Sequence, residues 1–350
     1  MEIGTYATRL TAAVAAAESY YHDNRQARRL IQSMTSLGAG QRSRMLFKQC
    51  DEYAADVLGS RRYAYWLKAY AVFSGTFREG WIPDNYYGKV VIPRWQGDYG
   101  AASYNKALSS RLFQTESLPD LAYAVNGLLY TPAMEPVRRS ELKKYLFAAS
   151  EKIVYKLDNG LQGKAVSVFD LNNFPDDSVV FGNGVFQSYI LQHPFFDAFT
   201  SQSVCTLRIT TVVDDESHIS CRAAYLRLPR STDTHVKSAT AIKVAVNLDG
   251  ALQDKGYLPN WVPIACHPDS EAEFAGLTVP NFQACVETCV TLHQKMMFSR
   301  MIGWDVVADI ADNVAVMEWN GRDNDIRFSE AATGPCFSDL GWQNLWRVTA

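Results

Sequence analysis

From residue 5 to about 75 the chain shows spaced apolar positions, many Ala, Arg and Leu, and almost no Pro or Gly, a texture that predicts an all-helical region. Between Ser74 and Tyr104 the texture changes. Gly75, Gly80, Pro83, Gly88, Pro93, Gly97 and Gly100 recur among Trp and Tyr, which predicts an irregular connector and a domain boundary. Beyond it, Lys106 to Phe113 reads as helix, 123–130 as a strand, Ser140 to Ser150 as helix, and Ile153–Leu157 and Ala165–Phe169 as strands joined by a glycine-containing loop. Alternating segments at 204–213, 219–228 and 240–248, with turn chemistry at Asp214-Asp215-Glu216 and at Pro229 to Thr234, predict an antiparallel meander. Residues 281–300 then read as a helix with Cys285, Cys289, Leu292, His293 and Met296 on one face, and strands at 306–310 and 314–318 follow. No internal repeat or low-complexity tract is present.

A length of 350 residues exceeds one ordinary domain and implies two or three lobes. The boundaries fall at 1–95 for a helical cap and connector, 96–186 for a first α+β region and 187–350 for a second. An apolar share of 47% and a charged share of 20% are those of an ordinary soluble protein. The formal charge of -3 gives no field to draw nucleic acid or an anionic membrane, and neither is expected as a partner. Seven cysteines without paired spacing suit reduced thiols, so a cytoplasmic location is expected. The Ala-rich run from Thr11 to Ala17 lacks a basic segment before it and meets Glu18, His22 and Asp23 soon after, as in a helix rather than a signal peptide. No stretch approaches the roughly 20 apolar residues of a membrane span.

The chemistry concentrates in Ile302-Gly-Trp-Asp305 and the strand that follows it. A two-residue turn at Ala311-Asp312 or Asp312-Asn313 places Asp305 opposite Glu318 or Asn320, and either register puts all of them on one face. Two carboxylates and an amide carbonyl suit a hard divalent cation; an edge hairpin with exposed acids has the same spacing. Upstream, Lys156-Leu-Asp-Asn-Gly160-Leu-Gln-Gly163-Lys164 joins two predicted strands. Its glycines let backbone N–H groups approach phosphate oxygens and Lys156 supplies charge, although a plain glycine hairpin reads alike. A Walker loop is excluded because Lys164 precedes Ala165 and a strand. In 204–213, Leu207 and Ile209 face one side while Thr206, Arg208 and Thr210 face the other. Arg208 can therefore grip a phosphoryl group or carboxylate, or point to solvent. Cys285, Cys289 and His293 lack a fourth zinc ligand and read as core. No Gly-x-Ser-x-Gly elbow or triad pattern supports a serine hydrolase.

In combination these elements resemble the sugar-transfer-associated branch of the ATP-grasp superfamily. The resemblance runs over roughly 60 to 345 and is carried by Ile302-Gly-Trp-Asp305-Val, Glu318-x-Asn320, Thr206-x-Arg208 and Leu226-Arg227. It implies an α+β ATP-grasp fold in which two subdomains grip ATP, preceded here by a helical region. It also implies ATP and magnesium as cofactors, with Asp305, Glu318 and Asn320 as metal ligands. By the same resemblance, Lys106 and Lys156 are phosphate-binding lysines, and Gly160, Gly163 and Lys164 belong to the flap over the phosphates. Gln187, Tyr189 and Ile190 match the linker lining the adenine pocket, and Arg208 and Arg227 are catalytic arginines. The implied activity is ATP-dependent joining of a carboxylate to an amine through an acyl phosphate, in cell-surface polysaccharide or secondary-metabolite assembly. A uronic acid or sugar nucleotide and an amino acid are examples of its substrates. A phosphotransferase acting on a hydroxyl, or a regulator that binds nucleotide without chemistry, are the alternatives. Where the family shows Asn and then Gly-Gly, this chain has Thr234 to Thr240.

Overall fold

The computed structural model describes residues 24–158, 165–322 and 324–347. The part of the expected helical region before residue 24 lies outside them. The chain divides into two compact units: the described residues up to Trp95 with Asn260–Pro263 and those from Asp325 onward form one, and Gln96–Pro259 with Ile264–Asn324 the other.

The first unit is helical because its apolar residues recur with helical spacing. Residues 24–36 bury Ala27, Leu30, Ile31 and Met34, and helix Arg44–Asp56 buries Cys50, Tyr53 and Ala54. Ser43 starts that helix by accepting a bond from the Leu46 N–H at 3.3 Å. Helix Ala64–Ser74 is buried nearly all round and stops at Gly75, whose φ of 74° suits a residue without a Cβ. Trp261 packs on Trp66 and Tyr70 with ring centroids 6.2 and 6.3 Å away. The segment expected to be an irregular connector instead winds into short helical pieces, Asp84–Tyr86, a π-type stretch Tyr87–Gln96 holding Pro93, and 3₁₀ turns at Tyr99–Tyr104. Residues from Asp325 onward, grouped by the sequence reading with its third region, pack in this unit.

The second unit holds two antiparallel sheets. One consists of β1 (Asp120–Val125), β2 (Leu128–Tyr130), β3 (Ile153–Leu157), β4 (Val166–Phe169) and β5 (Gly184–Ser188), in the order β2-β1-β5-β3-β4. Residues 123–130 are thus a hairpin rather than one strand. Asn126 and Gly127, with φ of 52° and 80°, form a turn whose left-handed backbone matches strand twist. Leu142 and Leu146 of helix Arg139–Ala149 cover this sheet's core.

The other sheet comprises β6 (Thr206–Val213), β7 (Ile219–Leu228), β8 (Ile242–Val246), β9 (Leu252–Tyr257), β10 (Pro263–Ile264), β11 (Met301–Ala308) and β12 (Val314–Asn320), in the order β10-β9-β8-β7-β6-β11-β12. The first three form the expected meander, and β9 and β10 extend it. Helix Phe282–Gln294 covers one face with Cys285, Cys289, Leu292 and His293, ending well before residue 300. The core reading of that helix face holds. Thr211 Oγ1 accepts from Trp304 Nε1 at 2.8 Å, and because the Ser299 carbonyl beside the other imidazole nitrogen can only accept, it donates to His293 Nδ1 at 2.7 Å. His293 Nε2 then carries the hydrogen and donates to the Ser299 carbonyl at 2.7 Å, while burial lowers the imidazole pKa to about 4.

Trp304 is fully buried and meets Phe113 edge-on at 5.4 Å, and Phe113 meets Trp319 at 5.1 Å. Trp304→Ala is expected to cost about 3–5 kcal/mol through the cavity it leaves, read as a lower urea midpoint with unchanged slope.

Candidate active site

Strand β11 runs between β6 and β12, and the registers align Arg208 with Asp305 and Asp305 with Glu318. Arg208, Asp305 and Glu318 therefore form one row across three strands, and Gly303 and Asn320 pair one step along on the same face. The opposite face of β11 and β12 carries Ile302, Trp304, Val306, Val316 and Trp319 into the core.

The register of the carboxylates has an unexpected origin. The loop closing the hairpin is Ile310-Ala311-Asp312, between Asp309 and Asn313, not a two-residue turn. Asp309 Oδ1 accepts from the Ala311 and Asn313 N–H groups at 2.8 Å each, and Asp312 takes the left-handed backbone at φ 64°. That loop pairs Val306 with Val316, and a bulge at Met317 then pairs Asp305 with Glu318. The extra residue lets Val316 and Trp319, three apart, both face inward and puts Glu318 and Asn320 outward. It also leaves the Met317 carbonyl to accept from Lys156 Nζ at 2.9 Å and Gln187 Nε2 at 3.4 Å.

Asp305 is gripped from the β6 side. Arg208 Nε and Nη2 donate to its two oxygens at 2.6 and 2.9 Å, and Arg227 Nη1 lies 3.4 Å from Oδ2. Burial alone would raise this carboxyl, but the charges of Arg208 and then Arg227 outweigh it and hold it below the ordinary carboxylate value. Arg208 Nη1 donates to Asn324 Oδ1 at 3.1 Å, and Asn324 Nδ2 donates to Thr210 Oγ1 at 3.1 Å. Only glycine fits at 303, since a Cβ there would overlap Asn324 Oδ1. Arg227 Nη2 donates to Ser238 Oγ at 3.1 Å, inside the segment Thr234–Thr240 where the chain departs from the family pattern. Asp233 and Asp269 hold that region, pairing with Lys237 at 3.2 Å and Arg230 at 2.6 Å.

Glu318 is met by a lysine from a 3₁₀ turn. Lys106 Nζ lies 2.9 Å from Glu318 Oε1, and the Lys106 N–H donates to Asp158 Oδ1 at 2.8 Å. Lys106 opens a 3₁₀ turn leading into helix Ser109–Phe113, and Trp319 Nε1 donates to Ser109 Oγ at 3.0 Å. Lys156, on β3, has its pKa lowered by burial, against which Glu318 works. Gln187 is buried on β5. Tyr189 donates from its hydroxyl to the Gln202 carbonyl at 3.2 Å, and Ile190 packs against the main core, so these two side chains point elsewhere. Gly160, Gly163 and Lys164 lie outside the described residues.

Sequence reasoning overlooked Asp120, Asp158, Ser238 and Asn324. Asp120 accepts from Gln187 Nε2 at 2.8 Å and Tyr123 OH at 2.7 Å. These residues sit at strand ends or in turns, where Asp, Asn and Ser are ordinary, so nothing local marked them. Among the described residues no group of three or more His, Cys, Asp or Glu side chains gathers as a metal cluster. The oxygen donors on this face are the two carboxylates and Asn320, a hard set whose Asp305 member stays anionic.

Because the folded pKa of Asp305 is depressed, its contribution is complete above the unfolded carboxylate value of about 3.9 and is lost as pH falls through the folded value. Asp305→Asn is expected to lower stability near neutral pH by about 3–5 kcal/mol, since it strands the buried arginine charge. Urea unfolding across pH should show the deficit shrinking in acid. A deficit independent of pH would remove the charge from the explanation.

Comparison with known families matches residues 166–340 to the family described as sugar-transfer associated ATP-grasp. No curated protein sequence matches. Among solved structures the chain is similar to purK, an N5-carboxyaminoimidazole ribonucleotide synthetase in complex with ADP, at 11% identity and TM-score 0.40 over 66% of this chain and 48% of that one. It is also similar to the ATP-grasp ligase PsnB with a minimal precursor, at 14% identity and TM-score 0.42 over 73% and 64%. For an L-amino acid ligase from Bacillus licheniformis the values are 14% and 0.41 over 70% and 48%. The chain thus spans about half to two thirds of these proteins' lengths. With half of its residues matched by one family, the chain belongs to the sugar-transfer associated ATP-grasp family and has its α+β ATP-grasp fold.

Proposed function

We propose that this protein is an ATP-dependent carboxylate-amine ligase. The observation that carries the reading is the convergence of Lys106, from a 3₁₀ turn, and Lys156, from β3, on the Glu318 and Met317 edge of the larger sheet, beside the row of Arg208, Asp305 and Glu318. Cations and carboxylates that neutralise one another here are the groups that a triphosphate and a divalent cation would separate and engage. Asp305, Glu318 and Asn320 would hold magnesium, which when bound neutralises phosphate charge.

In this reading the chain's own residues position and offset charge. Lys156 and Lys106 hold the phosphates, with Gly160, Gly163 and Lys164 assigned to the same task by the family resemblance, and the base is bordered by Gln187 and by the backbone, not the side chains, of Tyr189 and Ile190. Arg208 and Arg227 hold the reacting carboxylate and the transferring phosphoryl group. A carboxylate oxygen attacks the γ-phosphorus and ADP leaves; the amine nitrogen then attacks the acyl carbon, phosphate leaves, and the nitrogen loses a proton. Family membership supports a place in cell-surface polysaccharide or secondary-metabolite assembly, with a uronic acid or sugar nucleotide and an amino acid as candidate substrates.

With a panel of uronic and amino acids and hydroxylamine in place of the amine, ATP-dependent hydroxamate is the expected product. Lys156→Ala and Glu318→Gln are each expected to lower its formation about 10²–10³-fold, and EDTA to abolish it. Phosphoryl transfer to hydroxyls without hydroxamate would replace this reading with a phosphotransferase, and nucleotide binding without turnover on the panel with a regulator.

A further inference from the structure

Asp120 is a half-buried carboxylate that the proposed chemistry does not use. It lies on β1 directly across from Gln187 on β5, and a register shift follows it before Ala122. The shift brings Tyr123, three residues on, close enough for its hydroxyl to donate to Asp120 Oδ2 at 2.7 Å while Gln187 Nε2 donates to Oδ1 at 2.8 Å. Burial pushes this carboxyl up from its ordinary value, and the bonds from Gln187 and Tyr123 pull it back.

The chemistry of the neighbours decides which way the Gln187 amide points. A carboxylate and a peptide carbonyl only accept, and the Gln187 Nε2 group faces one of each, Asp120 Oδ1 at 2.8 Å and the Met317 carbonyl at 3.4 Å. Turned over, the amide would set its oxygen against both, leaving acceptors facing one another with no hydrogen between them. Oε1 is thereby kept on the remaining side, and among the described residues no group donates to it. Gln187 stands beside Val154 on β3, on the face that carries Lys156.

We propose that Asp120 is a positioning residue that makes this site selective for adenine nucleotides, by holding Gln187 with its amide oxygen toward the base. This rests on the nucleotide reading above. An adenine offers an amino donor at position 6 and a guanine a carbonyl acceptor there. A fixed acceptor pairs with the first and opposes the second. Asp120→Asn can donate as well as accept, which frees the Gln187 amide to turn and present its N–H group instead. Asp120 touches no reacting atom in this scheme, so its effect appears in the choice of base rather than in catalysis.

The test is titration calorimetry of the full chain with ATP and GTP, each with magnesium. The wild type is expected to prefer ATP, and Asp120→Asn to reduce the ATP-to-GTP affinity ratio about tenfold, the value of one hydrogen bond of about 1.4 kcal/mol. Tyr123→Phe should reduce it less. Gln187→Met, which removes the amide, should lose the preference even if Asp120→Asn fails to fold. A ratio unchanged in Asp120→Asn or in Gln187→Met, or a wild type that takes both nucleotides equally, would overturn this assignment alone. A wild type that binds neither nucleotide would overturn the nucleotide reading along with it.

Discussion

The ion pair between Arg208 and Asp305 governs the geometry of the site. Both groups are buried on the polar face of a sheet whose other face is core, and neither could remain there charged without the other. Their two parallel hydrogen bonds tie β6 to β11, and the remaining guanidinium nitrogen recruits Asn324, which in turn reaches Thr210. Gly303 is small because that network occupies the space its side chain would need. Two further charged groups flank this pair, Arg227 from β7 on one side and Glu318 from β12 on the other.

A second layer of order comes from carbonyl and amide groups rather than from charges. The Met317 carbonyl is shared by an ammonium and an amide from the opposite sheet, so backbone irregularity on one strand is matched by side chains on another. Asp158, Asp120 and Tyr123 work similarly, holding the backbone or side chain of a group nearer the center. Such contacts are short-range and directional, and they leave lysine and glutamine with few alternative orientations.

Much of the sheet architecture could be read in the chain because period-two alternation is strong in β6 to β8 and in β11, where one face is core. The juxtaposition of Asp305 and Glu318 was legible for the same reason. Its route was not: spacing alone suggested a two-residue turn, whereas a longer loop and a bulge together produce the pairing. The Asn126-Gly127 hairpin carried a recognisable turn signal that the apolar run around it obscured, and β9 and β10 are too polar or too short to stand out. Asp120 and Asn324 could not be recognised because Gln187 and Arg208, which they meet, are distant in sequence, and Ser238 because it meets Arg227 across an irregular loop whose path the sequence does not disclose. The helical texture of the first unit, by contrast, is local, and its apolar spacing sufficed.

The bulge at Met317 means that the twelve residues separating Asp305 from Glu318 are a phase rather than a length. A residue gained or lost in the loop merely changes the reach of the hairpin tip, provided the strands keep their ladder. Loss of Met317 would leave Glu318 opposite Asp305 and only remove the bulge that offers a carbonyl to Lys156 and Gln187, whereas a residue inserted after Glu318 would exchange inside for outside along the rest of β12 and send Trp319 to solvent. Length can therefore change at the tip of this hairpin at little cost, while past Glu318 it decides which side chains meet water.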